Sequence, residues 1–203
     1  MQVKKPEVKE KIYSAAFEEF YEKGFKKTTM GSISQNSGVP VGNIYRYYIN
    51  KEALFREVVE EVSTQLFNLF LNTSKIQHGS IDDSLRDEVL KFVEKLLELS
   101  FENKKTIHIL FEKSHGSKFE NFKKKLETQF IDRAISNAKL SLNNSELNQE
   151  DIEMVKVSAK VFLEGLETIM INYSDNEELK RSLMFRFADF FITDASSRFK
   201  IDK

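Results

Sequence analysis

Cysteine is absent from this chain of 203 residues, which removes disulfides, thiolate nucleophiles and cysteine-ligated zinc at once. Histidine is nearly absent too: His78, His108 and His115 are all there is. They stand in no serine–histidine context, and no glycine-rich phosphate loop accompanies them. Neither catalytic residues nor a cofactor are therefore expected, and an enzyme on a helical body is the unsupported reading. Long apolar runs are missing: none approaches the roughly 20 residues that span a bilayer, and Met1–Glu10 is polar, without the apolar core of a signal peptide. A cytoplasmic protein with no membrane partner is expected. The only prolines are Pro6 and Pro40, and there are seven glycines. No segment alternates with the period of a strand, so the chain reads as all-α.

What is present is unevenly spread. Hydrophobic residues make up 40%, enough for a sizeable core, and the net charge is −1. Residues 1–51 hold nine Lys/Arg against five acids, a net of +4 that leaves −5 on the remainder. A basic end on an acidic body suits an anionic partner for the N-terminal part, although ordinary surface variation gives the same imbalance.

About nine helices are expected. The first starts near Pro6, carries Ile12, Ala16 and Phe20 on one face with Tyr13 and Phe17 beside them, and ends at Gly24. Thr28 or Thr29 caps a short second helix that buries Met30 and Ile33. Gly38 turns the chain, and Pro40 opens a third helix running to about Tyr48. Asn50 caps a long fourth helix with Leu54, Val58, Val62, Leu66 and Leu69 on its buried face. Further helices are expected from Ser80 or Asp83, from Asn103 through Leu110, from Ser117 to about Leu140, from Asn148 with Asp151 as a capping pair, and from Ser174 with Glu177 at capping-box spacing. A boundary near residue 50 separates an N-terminal unit, 1–50, from a body, 51–203, with the fourth helix shared.

Residues 28–55 hold the clearest functional pattern. Two short helices joined at Gly38, with Ile33 and Val39 between them, have the form of a helix-turn-helix. Pro40, Val41, Gly42 and Asn43 open its second helix. Gly42 costs roughly 1 kcal/mol of helix stability against alanine, which makes sense if another surface must come close. The Asn43 amide can bond adenine edges, and the Val41 methyls can touch thymine methyls. Ile44 and Tyr48 belong to the packed face. Tyr45 and Tyr47 then point outward with hydroxyls suited to phosphates, joined by Lys51, Thr29 and Ser32. Arg46 can reach a base or a phosphate. A polar, aromatic-rich hairpin with no ligand is the alternative.

From Ile12 to Phe55 the chain resembles the TetR/AcrR family of transcriptional regulators. The match is carried by Ile12-Tyr13-Ser14-Ala15-Ala16 with Phe20 and Gly24-Phe25, by Thr28-Thr29-Met30 with Ile33, by Gly38 through Tyr45, and by Tyr47-Tyr48 with Lys51 through Phe55. The resemblance implies a homodimeric all-α regulator in which Thr29, Val41, Gly42, Asn43, Tyr45, Tyr47 and Lys51 face double-stranded DNA. Two positions depart from the family pattern. Pro40 stands where Ser or Thr is usual, removing a side-chain cap, and Val41 replaces a more frequent polar or basic residue.

In the body, Ile152, Val155, Ala159, Phe162, Leu166, Ile169 and Tyr173 alternate in steps of three and four, the seam of a helix packed nearly parallel to others. Gly165 allows close approach. The last helix carries Leu179, Leu183, Met184, Phe187, Phe190 and Phe191, an arc too wide for one neighbour. An intramolecular bundle and a dimer both fit. The resemblance favours the dimer, with Ile152, Val155, Ala159, Phe162, Leu166, Ile169, Leu183, Phe187, Phe190 and Phe191 at its interface. It also places Phe92, Phe101, Phe111, Phe119, Phe122, Phe130 and Phe162 where an effector cavity would be lined; of these Phe101, Phe111, Phe122 and Phe162 are the candidate ligand contacts, with His108 beside them as a partner for an acidic effector. His108, Glu112 and His115 fall at i, i+4 and i+7, which suits a half-exposed polar stripe near a helix end better than metal ligands, since two His and one carboxylate are a weak pattern without further ligands. No metal is expected.

The function expected is that of a repressor which binds a palindromic operator as a dimer and is released by a small apolar or amphipathic effector. A helical module whose N-terminal hairpin binds protein is the competing reading.

Overall fold

The computed structural model describes residues 5–71, 83–141 and 147–192. Among them are nine α-helices and no strand: α1 Pro6–Lys27, α2 Met30–Ser37, α3 Val41–Tyr47, α4 Lys51–Leu71, α5 Asp83–Glu102, α6 Lys104–Glu112, α7 Phe122–Ser141, α8 Gln149–Asn172 and α9 Glu177–Ile192. No helix among the described residues is long and apolar enough to cross a membrane. The expected start at Ser80 and most of the polar loop after Ser141 lie outside the described residues.

The chain divides into two compact units, residues 1–65 with 103–123, and residues 66–102 with 124–203. In the first, α1 packs on α2 and α6, and α2 on α3. Its core is the predicted face of α1, with Ile12, Ala16 and Phe20 all fully buried, closed by Ile33, Ile44, Leu54 and Phe55. Phe20 meets Phe55 edge-on at 4.9 Å, and Phe25 meets it at 5.0 Å. Each such side chain removed from water contributes roughly 1.5–3 kcal/mol.

In the second unit α9 packs on α5 and α8. Its interior is a run of phenylalanines. Phe70 meets Phe92 at 5.0 Å and Phe130 at 5.7 Å, while Phe162 lies 6.1 Å from Phe130, 5.9 Å from Phe187 and 5.3 Å from Phe191.

Several expected boundaries differ, each for a local reason. Gly24 does leave helical geometry at φ 75°, but one further turn runs on to Lys27, and the freed Phe25 N–H donates to the Lys113 carbonyl at 2.8 Å. Asn103 holds the cap position of α6 without a side-chain capping bond. Ser117 does not start α7. It is buried, its hydroxyl accepts from the Phe119 N–H at 3.0 Å, and the helix begins at Phe122. The cap of α9 is Asn176 rather than Ser174, with its Oδ1 accepting the Leu179 N–H at 2.9 Å. Asn148 with Asp151 forms the expected reciprocal cap on α8, and Asn50 Oδ1 accepts the Ala53 N–H at 2.8 Å at the start of α4.

Candidate nucleic-acid interface

The helix-turn-helix is fixed by short-range chemistry before any packing. Thr29 caps α2: its hydroxyl accepts the Ser32 N–H at 3.0 Å, and the Ser32 hydroxyl accepts the Thr29 N–H at 3.2 Å. This satisfies two of the orphan donors of the first turn. Gly38 ends α2 in the left-handed region at φ 67°, which glycine adopts without strain. The Ser34 hydroxyl then donates to the Val39 carbonyl at 2.7 Å, pinning the turn. Pro40 starts α3 without a side-chain cap, and the Asn43 and Ile44 N–H groups donate to its carbonyl.

Burial splits α3 into two faces. Ile44 is fully buried and Tyr48 nearly so, with the Tyr48 hydroxyl donating to Glu57 at 3.1 Å. Burial, with the Glu57 charge beside it, pushes that phenol well above its ordinary pKa. Val41, Gly42, Tyr45 and Arg46 are exposed and Asn43 is half-buried. A Cβ on Gly42 would meet nothing within 4 Å among the described residues, so none of them calls for a glycine there. Ile49, just beyond α3, is 79% exposed.

Two of the expected phosphate anchors have internal partners. The Tyr47 hydroxyl accepts the Lys5 N–H at 2.9 Å, which ties the start of the chain to the end of α3. The Lys51 ammonium donates to the carbonyls of Phe25 at 2.6 Å and Thr28 at 2.8 Å, and lies 4.1 Å from the centre of the Phe25 ring. Burial lowers its pKa against the opposing pull of Glu52. Sequence reading saw Lys51 as surface charge because backbone carbonyls leave no trace in composition. It also passed over Glu19, a carboxylate on the buried face of α1, although a lone charge three residues after Ala16 on an apolar stripe was a visible signal.

The residues expected around an effector fall in both units. In the first, the His108 ring meets Tyr21 edge-on at 5.3 Å, and Phe111 meets Phe122 at 5.9 Å. In the second, Phe101 takes the Lys180 ammonium at 4.9 Å over its ring, while Phe162 lies in the phenylalanine cluster. His108 faces Tyr21, whereas His115 lies 3.5 Å from Glu120. Among the described residues no group of three His, Asp or Glu side chains is arranged to hold a metal ion.

The residues expected at a dimer interface divide by their burial within the single chain. Val155, Ala159, Phe162, Leu166 and Ile169 are buried within the single chain, so the seam joins α8 to its own neighbours. Ile152, Leu183, Phe187 and Phe191 are half-buried, and Phe190 is 63% exposed. The outward apolar residues of α8 are Met154, Val157 and Val161, which fall between the seam positions.

Comparison with known proteins agrees with this architecture. The profile of the family described as bacterial regulatory proteins, tetR family, matches residues 12–58. Over 90 residues the chain is 31% identical to IcaR, the negative transcriptional regulator of the biofilm operon icaADBC of Staphylococcus epidermidis, a stretch covering 44% of this chain and 45% of that protein. A TetR-like transcriptional regulator from Rhodococcus sp. RHA1 superposes with a TM-score of 0.61 at 16% identity, over 97% of this chain and 99% of the other. SmeT, the repressor of the Stenotrophomonas maltophilia multidrug efflux pump SmeDEF, does so with a TM-score of 0.57 at 19% identity, over 92% and 88%. Identities this low bear on the fold alone, and the N-terminal match carries the kinship. Over residues 12–58 the chain is thus similar to the tetR family of bacterial regulatory proteins, and its all-α fold is that of TetR-like regulators.

Proposed function

We propose that this protein is a DNA-binding repressor and not an enzyme: a homodimer that holds a palindromic operator and leaves it when a small apolar or amphipathic effector binds the body. Residues 1–50 would face DNA, and residues 51–203 would bind the effector and the second copy. The observation that carries the reading is Gly42. It weakens α3, yet its missing side chain is not needed by any neighbour within 4 Å. Close approach of an outside surface gives the glycine a purpose.

Around it the roles follow from chemistry. Val41, Gly42 and Asn43 form a small reading head, with the Asn43 amide for a base edge and Val41 for a thymine methyl. Thr29, Ser32, Tyr45, Tyr47 and Lys51 lie against phosphates, and Arg46 reaches a base or a phosphate. Dimerisation would place two α3 helices about 34–36 Å apart, one turn of duplex. The outward residues Met154, Val157, Val161 and Phe190 suit that contact. The ring-filled interior around Phe70, Phe130 and Phe162 suits an apolar effector, which would act by favouring a subunit arrangement that no longer matches successive grooves.

Selection of bound fragments from a genomic library, followed by fluorescence anisotropy, tests the reading. A recovered palindrome should bind well above random duplex and with steep salt dependence. Gly42→Ala should leave stability equal or higher while weakening DNA binding. No preference over random duplex would sink the proposal.

A further inference from the structure

Glu19 is the buried carboxylate of the DNA-binding unit. Its side chain is 4% exposed and shares the face of α1 that carries Ile12, Ala16 and Phe20. A charge taken from water is unfavourable unless hydrogen bonds replace the solvent. Oε1 receives two donors at 2.6 Å each: the Lys23 ammonium, one turn along the same helix, and the Asn36 amide from α2. Oε2 is buried without a hydrogen-bond partner. Burial raises this carboxyl, but the bond and charge of Lys23, with the polar side chains of Ser32 and Asn36 on α2, outweigh it and hold the pKa below its usual value. The group therefore stays ionised at neutral pH.

The same residue is a backbone node. The Thr28 hydroxyl shares its proton between the Gly24 carbonyl at 2.9 Å and the Glu19 carbonyl at 3.1 Å, and the Thr28 carbonyl in turn accepts from Lys51 at 2.8 Å. Lys23 can neutralise the charge but cannot fix α2, because it belongs to α1. Asn36 can. It stands in the last turn of α2, two residues before Gly38, whose left-handed backbone aims α3. Apolar contacts between α1 and α2 are non-directional, whereas a 2.6 Å bond to a buried charge selects one seat.

We propose that Glu19 is a positioning residue for DNA recognition: through Asn36 it fixes how α2 sits on α1, and so the angle at which α3 is presented. The inference rests on the DNA-binding reading, yet the seating of α2 can be measured without DNA.

The discriminating variant is Glu19→Leu, which removes an incompletely satisfied buried charge and replaces it with an apolar group of similar size. Such exchanges are often neutral or stabilising. A purely structural carboxylate would move stability and DNA affinity together. The full chain, with Glu19→Leu, Glu19→Gln and Asn36→Ala, would be followed by urea unfolding, by amide exchange of residues 30–37, and by anisotropy on the selected duplex. For Glu19→Leu we expect an unfolding midpoint equal to or above that of the wild type. Exchange in α2 should be faster and DNA affinity weaker, each by about tenfold, the latter equivalent to about 1.4 kcal/mol. Glu19→Gln, whose amide oxygen can still accept from Asn36, should keep most of both. Equal exchange rates in Glu19→Leu and wild type would overturn the proposal, as would loss of stability and affinity in proportion. If the wild type prefers no duplex, the DNA-binding reading fails and the exchange rates alone decide the positioning role. If Glu19→Leu does not fold, Asn36→Ala, at an exposed position, decides by the same exchange and binding measurements.

Discussion

The Lys51 ammonium caps the end of α1 by donating to the Phe25 carbonyl at 2.6 Å, with the ring of the same residue 4.1 Å away. A second bond reaches the Thr28 carbonyl at 2.8 Å. Helix C-termini leave carbonyls without partners and favour cations, so one lysine from the first turn of α4 meets two needs of α1. Lys51→Met should lower stability by about 1–2 kcal/mol, below the sum for two charge-assisted bonds because the site is partly exposed. Urea unfolding measures it. The third proton of the ammonium is the one left for a phosphate. If it is used, the variant's salt dependence of DNA binding should be shallower by about 0.9 in log–log slope. An unchanged slope would assign Lys51 to packing alone.

Gly165 and Phe187 set the spacing of α8 and α9. A Cβ on Gly165 would run into the Phe187 ring. Gly165→Ala should therefore cost about 1–3 kcal/mol despite alanine's better helix propensity. Phe187→Leu should recover part of that loss in the double variant, giving a coupling that independent sites do not show. Additive losses would mean that the two helices adjust by other means.

The α3 faces were legible because a helix of seven residues has room for one buried side, and Ile44 with Tyr48 occupies it. The Thr29 and Asn148 caps were legible because capping chemistry is local in sequence. Non-local partners were not. Nothing near Tyr47 announces the Lys5 backbone, and nothing near Lys51 announces the carbonyls of residues 25 and 28. The period of the α8 seam was legible, but its neighbour was not. Periodicity marks Val155, Ala159, Phe162 and Leu166 as an apolar face, yet is silent on whether the surface covering it belongs to the same chain.

The outward residues are the ones available to meet a second copy. Met154, Val157 and Val161 are 52%, 57% and 51% exposed at positions i, i+3 and i+7 of α8, and Phe190 on α9 is 63% exposed. A glutamate at such a site should change the stability of the single chain by no more than about 0.5 kcal/mol. Val157→Glu with Val161→Glu should nonetheless sediment as a monomer where the wild type sediments as a dimer. The variant should also bind a half-site as the wild type does while losing the gain from a full palindrome. A double variant that remains dimeric would remove this face from the interface.

His108 gives a pH dependence with a definite sign. Burial lowers its pKa, the Lys113 charge adds to the effect, and Glu112 opposes both. The unfolded chain thus takes up this proton at a higher pH, near the ordinary value of about 6.5, than the folded chain does. Between those two values the unfolded state binds more protons. Stability is full above the ordinary value, falls as pH drops through the window, and levels once the folded ring is protonated. His108→Gln should remove this component. The difference in unfolding free energy between wild type and variant, followed by urea titration from about pH 7.5 to pH 5, should shrink steadily as pH falls. A difference that grows on acidification would mean that the folded state prefers the charged ring, the reverse of what its burial and its neighbour Lys113 imply.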